Sequence, residues 1–290
     1  MGGTKGNLRT EIKKVGIVGC GLMGSGYTQL CAQHGYQVVV SEVNDELLNK
    51  GLAMIDSRLT DNVSQGELSE QDKDGILARI NITINLRELS DCDLVIEVAT
   101  EKMEVKKEIF AELDNICAKD IVLGTNTSVL SVIDIAMATR RPEQVVGIHM
   151  NPLAFPLAEL IKTIVTSEET LEIATKFSKS LGKQVFMCKD TPGFVVNRLI
   201  TPLMMNAIRM MGAGIATKEE IDSLFKALGW PMGPLATADM IGLDTLLLGT
   251  TSMYNESKEA KFAPPVLLKQ MVTAGWLGFK TGKGFYDHNQ

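Results

Sequence analysis

The sequence predicts an α/β fold: a doubly wound, mostly parallel sheet over residues 1–188, followed by an all-α C-terminal domain over 189–290. Three observations carry this. Short apolar runs alternate with stretches of helical period up to Ile148, the pattern of strands buried on both faces with crossover helices between them. A glycine-rich turn, Gly19-Cys20-Gly21-Leu22-Met23-Gly24, joins the first run to the first helix. Beyond Lys189-Asp190-Thr191-Pro192-Gly193 only helical periodicity remains, punctuated by Pro and Gly. A chain of 290 residues also exceeds what a single core comfortably fills.

Val15-Gly16-Ile17-Val18 is the first strand, and the turn behind it has the G-x-G-x-x-G spacing of a Rossmann-type dinucleotide site. There the first glycine permits the tight turn, the second lets backbone amides approach a pyrophosphate, and the third packs the helix against the sheet. Gly19, Gly21, Leu22, Met23 and Gly24 are accordingly assigned to cofactor binding. The second strand, Val38-Val39-Val40-Ser41, ends in Glu42, 23 positions after Gly19, where an acid accepts the hydroxyls of an adenosine ribose. Its charge opposes a 2′-phosphate, and Val43, Asn44 and Asp45 bring no cation, so the expected cofactor is NAD rather than NADP.

The remaining elements follow in order. The first helix spans 22–33 with Gly35 behind it, and a long amphipathic helix starts at Asn44 or Asp45, its apolar positions Leu47, Leu48, Leu52, Ile55 and Leu59 recurring at helical spacing. Strand 93–98, helix 103–117, strand 121–123, helix 131–137 and strand 145–148 complete the alternation. Ligands of such sheets sit beyond the carboxyl ends of the strands, which directs attention to residues 99–101, 125–128 and 149–152. The second domain is expected to hold helices over 195–211, 218–228, 240–254 and 265–274. Met204, Met205, Met210 and Met211 form an apolar stripe that is either core or subunit contact.

A formal charge of −6 with scattered Lys and Arg gives no footprint for nucleic acid. Cys20, Cys31, Cys92, Cys117 and Cys188 are an odd set without a C-x-x-C pair, expected as reduced, packed thiols, and no metal site is predicted. No apolar stretch reaches the ~18–20 residues of a spanning helix, and Met1 to Lys14 is polar without a signal-peptide core. The expectation is a cytoplasmic protein with no membrane partner.

Of three histidines, His34 falls at a helix end as a cap or surface residue and His288 in a frayed tail. His149 closes a strand at the edge where the cofactor is expected, and imidazole is the side chain that exchanges protons near neutrality. Glu159 alone reads as a surface charge; folded back, it would orient the imidazole.

Six segments together resemble the short-chain 3-hydroxyacyl-CoA dehydrogenases, the family that includes the 3-hydroxybutyryl-CoA dehydrogenases. They are the glycine turn, Thr125-Asn126-Thr127-Ser128, His149 with Asn151-Pro152, Asp190-Thr191-Pro192-Gly193-Phe194-Val195-Val196-Asn197-Arg198, Pro231-Met232-Gly233-Pro234, and Gly275-Trp276-Leu277-Gly278 continuing through Lys280-Thr281-Gly282-Lys283-Gly284-Phe285-Tyr286. The resemblance covers nearly the whole chain. It implies an NAD-dependent oxidoreductase of fatty acid metabolism, of the β-oxidation type, acting on a 3-hydroxyacyl-CoA. It further implies catalysis by a His149–Glu159 pair, with Ser128 and Asn197 binding the reacting oxygen, and a cofactor site completed by Ala99, Glu101, Lys106 and Asn126. A homodimer through the C-terminal helices is implied as well. Two other readings stand beside it: a dehydrogenase of a free 3-hydroxy acid such as a sugar acid or carnitine-like compound, and an NAD-binding scaffold without catalysis.

Two departures stand out. Where the family carries a histidine and two aromatic residues before Asn-Pro, this chain reads His149-Met150-Asn151-Pro152, and its His-to-Glu segment is two residues shorter. The wall Leu153-Ala154-Phe155-Pro156 is therefore reshaped. Asp61 and Gln65 occupy positions where the family often places lysines for the CoA phosphates, with Arg58 one turn earlier as the available substitute.

Overall fold

The computed structural model describes residues 8–153 and 155–288, and the counts below refer to these. Ala154, part of the expected reshaped wall, and residues 1–7 of the polar N-terminal stretch lie outside them. The chain divides into two compact units, Met1–Asp190 and Thr191–Gln290.

The first unit runs β1 (Lys14–Val18), α1 (Leu22–Gln33), β2 (Gln37–Ser41), α2 (Asp45–Ser64), α3 (Glu70–Leu77), β3 (Ile80–Thr83), β4 (Leu94–Glu97), α4 (Met103–Ile116), β5 (Val122–Thr125), α5 (Val132–Ala136), β6 (Val145–His149), β7 (Leu157–Lys162), α6 (Glu168–Ser180) and β8 (Gln184–Lys189). The strands form one sheet in the order β3-β2-β1-β4-β5-β6-β7-β8. Every neighbouring pair is parallel except β6 and β7. Strand order reverses between β1 and β4, the switch point at which such sheets open a crevice.

Alternation along each strand builds a core on both faces. Val38 and Val40 of β2 join Ile17, Ile96, Tyr27, Ile55, Leu59 and Phe177 on one side. Val39, between them, joins Val95, Leu123, Phe110, Leu113 and Ile135 on the other. α2 begins where its sequence provides a cap: the Asn44 side-chain oxygen accepts from the Leu47 amide at 2.9 Å. Leu48, Ile55 and Leu59 face inward as expected, but Leu47 lies in the first turn on the outward side and is 43% exposed. α3, β3, β7, α6 and β8 were not expected from periodicity; the four residues of β3 and the charge inside β7 blur their patterns.

The second unit holds α7 (Val196–Gly212), α8 (Lys218–Ala227), α9 (Pro234–Ile241), α10 (Leu243–Ser257) and α11 (Val266–Thr273). The expected single helix over 240–254 is instead two, because Gly242 adopts φ 96°, a left-handed conformation that ends α9 and redirects α10. Met204 and Met205 are buried with Ile208, Leu235, Leu243 and Leu268, so these two are core, and Met210 and Met211 pack partly buried against it. His288 is not in a frayed tail: its Nε2 lies 2.9 Å from Oδ2 of fully buried Asp239, which also accepts the Phe285 and Tyr286 amides. That carboxylate ties the last described residues to α9. No helix among the described residues is long and apolar enough to cross a membrane.

Asp93, just before β4, pins the start of β1. Its Oδ2 accepts the Lys13 and Lys14 amides at 2.8 Å each, and Oδ1 accepts from Arg9 at 2.6 Å. Burial pushes this carboxyl up, but the hydrogen bonds from Arg9 and the two amides outweigh it and hold it below its ordinary value. A carboxyl held low in the fold stabilises above its unfolded pKa near ~3.9, and that contribution is lost as pH falls through the folded value. Asp93→Asn is expected to lower unfolding free energy by about 1–3 kcal/mol at pH 7. The difference from the parent should shrink below about pH 4; urea melts at pH 7 and pH 3 read both, and a gap that does not narrow would take the charge out of the account.

Candidate active site

The chemistry gathers at the carboxyl ends of β1, β2, β4, β5 and β6. Gly19 follows β1 at φ 103°, and a Cβ there would stand 2.9 Å from the Val98 carbonyl oxygen, so only glycine makes this turn. At Gly24 a Cβ would sit 1.9 Å from the Gly19 carbonyl oxygen, which holds α1 tight against the turn. Gly21 differs. A Cβ there would meet nothing within 4 Å, so no protein packing demands its missing side chain, and the opening lies at the N-terminus of the twelve-residue α1, where Gly21 provides no side-chain cap. Free amides and a helix N-terminus beside vacant backbone suit a pyrophosphate.

Glu42 stands one residue past β2. Its Oε2 accepts the Cys20 amide at 2.8 Å and its Oε1 the Val43 amide at 2.8 Å, so the acid stiffens the glycine turn. A carboxylate has about four acceptor positions, and two bonds leave room for a ribose diol. Burial first, then Glu42, pushes the Cys20 thiol up to about 11, and the residue acts as packing. Cys31, Cys92 and Cys117 are likewise free and buried, and Cys188 is half-buried.

The ends of β6 and β7 carry the central pair. The antiparallel register sets His149 directly opposite Glu159, and Nδ1 lies 2.8 Å from Glu159 Oε2. Glu159 is 1% exposed, not the surface charge its sequence context suggests, because β7 is an interior strand of the sheet. On the other side of the ring, Nε2 lies 3.2 Å from Ser128 Oγ. With Glu159 ionised, Nδ1–H donates to it, and in the neutral ring Nε2 is the acceptor that faces Ser128.

A second line of charge runs beneath Ser128. Glu97 ends β4 fully buried; it accepts from Lys106 Nζ at 2.7 Å, from the Ala99 amide at 2.7 Å and from the Thr125 hydroxyl at 2.7 Å. Lys106, 1% exposed, also lies 3.5 Å from Glu101 Oε2. Glu101 Oε1 in turn accepts the Thr127 hydroxyl at 2.5 Å, the Ser128 amide at 2.8 Å and the Val129 amide at 3.3 Å. Lys106 thus sits behind Glu101, paired with two carboxylates. Glu97 was not singled out in the sequence, although it is the one charge in the run Leu94-Val95-Ile96-Glu97-Val98. Asn126, at the end of β5, accepts the Met150 amide through Oδ1 at 3.0 Å. The structure therefore brings Ser128, His149 and Glu159 into one hydrogen-bonded line and sets Glu101, Lys106 and Asn126 around it. Asn197 belongs to the second unit, half-buried in the first turn of α7.

Ser–His–acid order is also that of acyl hydrolases, which need amides aimed at a reacting oxygen. The Ser128 and Val129 amides donate instead to Glu101, so they are not offered to an oxyanion. This arrangement suits proton exchange with a substrate hydroxyl. Among the described residues no cluster of His, Cys, Asp or Glu is built to hold a metal.

Residues 14–191 match the model of the 3-hydroxyacyl-CoA dehydrogenase NAD-binding domain and 193–288 that of the family's C-terminal domain. A 3-hydroxybutyryl-CoA dehydrogenase of Mycobacterium tuberculosis is 44% identical over 282 residues, covering 96% of this chain and 99% of the relative. The crystal structure of M. tuberculosis FadB2 has a TM-score of 0.92 at 44% identity, over 95% of this chain and 99% of that one. The (S)-3-hydroxybutyryl-CoA dehydrogenase PaaH1 of Ralstonia eutropha gives 0.89 at 40% identity, over 97% and 100%. The NAD-binding match agrees with the vacant backbone at Gly21 and the acid at Glu42.

Cofactor choice is expected to follow Glu42. The parent should prefer NADH to NADPH in kcat/KM, and Glu42→Ala combined with Val43→Arg, at a position 78% exposed, should shrink that preference by at least about tenfold, the effect of ~1.4 kcal/mol. Equal kcat/KM for the two cofactors in the parent would show that the Glu42 carboxylate is not what selects.

Proposed function

The chain belongs to the 3-hydroxyacyl-CoA dehydrogenase family, and on that premise we propose that it interconverts a short-chain 3-hydroxyacyl-CoA and its 3-oxo form with His149 as acid and base. The observation that carries this reading is the Ser128–His149–Glu159 line, with distances of 3.2 and 2.8 Å, at the strand ends beside the glycine turn. The bound cofactor supplies the hydride acceptor for C3 of the substrate. In the oxidative direction His149 Nε2 removes the hydroxyl proton. Glu159, fixed across from it by strand pairing, keeps the proton on Nδ1 and stabilises the imidazolium that results. The Ser128 hydroxyl, now shared with Nε2, turns to the substrate oxygen as charge develops there, and Asn197 is assigned as a second donor. Such donors are commonly worth ~2.7–4 kcal/mol each. In reduction the same groups run in reverse, with imidazolium returning its proton to the oxygen.

Glu101, Lys106 and Asn126 complete the cofactor site in this reading, Lys106 through its hold on Glu101. The CoA tail is assigned to a groove of about 440 Å³ between α1 and α2, lined by Gln29, Arg58, Asp61, Gln65 and Leu153. There Arg58 donates to Gln29 at 2.7 Å and to Ser25 at 3.1 Å. A cytoplasmic homodimer through the C-terminal helices completes the proposal. The free cysteines and the outward apolar side chains Leu199, Leu224, Leu228 and Val266, each more than half exposed, support it.

The direct test is oxidation of NADH by acetoacetyl-CoA, followed by absorbance. Turnover of a free 3-oxo acid with none of the thioester would overturn the substrate assignment. His149→Gln is expected to lower kcat by at least ~10²-fold with NADH affinity nearly unchanged, and Glu159→Gln to act in the same direction less strongly. Parent-like kcat in His149→Gln would remove it from the mechanism. Because Arg58 alone provides positive charge in the groove lining, an N-acetylcysteamine thioester should retain kcat/KM within about tenfold of the CoA ester, ~1.4 kcal/mol. A larger loss that disappears in Arg58→Ala would show that this one cation supplies the whole contact.

A further inference from the structure

Tyr27 lies on α1, one turn beyond the glycine loop, and has no exposed surface. A fully buried phenol needs a partner for its hydroxyl, and this one faces two acceptors: Ile148 O at 2.7 Å and Asn126 Oδ1 at 2.8 Å. Burial pushes the phenol well above its ordinary value, so it stays neutral and holds a single proton for the two oxygens. Asn126 Oδ1 also accepts the Met150 amide at 3.0 Å. A backbone amide can only donate, so this bond fixes which end of the carboxamide is oxygen, and the Nδ2 donors are turned away from Tyr27. Ile148 and Met150 are the residues on either side of His149. One phenol therefore ties the helix that carries the glycine loop, the carboxamide at the end of β5 and the backbone on which His149 stands.

We propose that Tyr27 is a positioning residue of the dehydrogenase, its hydroxyl holding the Asn126 carboxamide and the Ile148 carbonyl in the relation that aims both Asn126 Nδ2 and His149 into the site. This rests on the functional reading above. Tyr27 touches no reactant; it acts through Asn126 and the end of β6. The ring is part of the core around α1, while loss of the oxygen leaves Ile148 O and Asn126 Oδ1 one donor short.

Tyr27→Phe keeps the ring and removes one oxygen. Thermal melting, the NADH dissociation constant from fluorescence titration, and kcat with its pH profile are measured for the parent, Tyr27→Phe, Asn126→Ala and the double variant. In Tyr27→Phe kcat is expected to fall about tenfold and NADH binding to weaken severalfold, the scale of one misplaced hydrogen-bonding group. The NADH-binding effect should be absent when Tyr27→Phe is added to Asn126→Ala, because the route through Asn126 is then already gone, and the kcat effect should shrink to the part that runs through Ile148 O. A Tyr27→Phe protein that melts lower yet keeps kcat, pH profile and NADH affinity within twofold would reduce Tyr27 to packing and overturn the proposal. A full-size loss of NADH affinity together with an undiminished kcat effect in the Asn126→Ala background would overturn it too. If the parent reduces no thioester, the dehydrogenase reading fails by itself, and the binding titrations still decide whether Tyr27 acts through Asn126.

Discussion

One strand pairing organises the site: β6 and β7 run antiparallel, with His149 opposite Glu159. Side chains of directly paired residues leave the sheet on the same face about 4.5–5.5 Å apart at Cβ, which is why an imidazole and a carboxylate ten residues apart meet at 2.8 Å without help from a long loop. Side chains alternate faces with a period of two, so a register slip of one would send Glu159 to the opposite face. The resemblance gives this chain a His-to-Glu segment two residues shorter than its family's, and the pair still meets across the strands.

The second constraint is electrostatic. Glu97 and Lys106 are both essentially excluded from water, and a buried charge is tolerated only when paired and hydrogen-bonded. Glu97 meets that condition with three donors. Removing the lysine would strand Glu97 in the interior and release Glu101, whose Oε1 gathers the Thr127 hydroxyl and the Ser128 and Val129 amides. Ser128 is thus held from below by a chain of alternating charge and from above by the His149 ring, so neither the serine nor the imidazole depends on a flexible loop for its position.

Much of this architecture is legible in the sequence, and the illegible parts share a cause. Continuous apolar runs marked β1, β2, β4 and β6 because strands buried on both faces need them, and the glycine spacing with Glu42 marked the cofactor end of the sheet. β7 escaped because its run Leu157-Ala158-Glu159-Leu160-Ile161 carries a buried charge at its centre, so the residue that matters most there is the one that spoils the pattern. Burial of individual polar groups was equally hidden: the ion pair that buries Lys106, and the contact that holds His288, which reads as a tail, are seen only with the partners Glu97 and Asp239. These partners are 9 and 49 positions away, and nothing local announces them. Tyr27 falls in the same class, an apolar helix position by periodicity whose hydroxyl finds acceptors only through the fold.

The same geometry bears on how a serine, a histidine and a glutamate in line would serve hydride chemistry in the proposed mechanism. An acyl hydrolase must present amide donors to a new oxyanion and leave its serine free to attack. In this site the amides of Ser128 and Val129 are committed to Glu101 and are not offered to a new oxyanion. Proton exchange with an alcohol makes the opposite demand: the oxygen passes between hydroxyl and carbonyl, needs one base with a stabilised imidazolium, and benefits from a hydroxyl donor that can shift between the base and the substrate. In the proposed mechanism Glu159 answers the first need and Ser128 the second. What separates the two chemistries is therefore the direction of two backbone amides, set by Glu101 and, through it, by the lysine buried behind it.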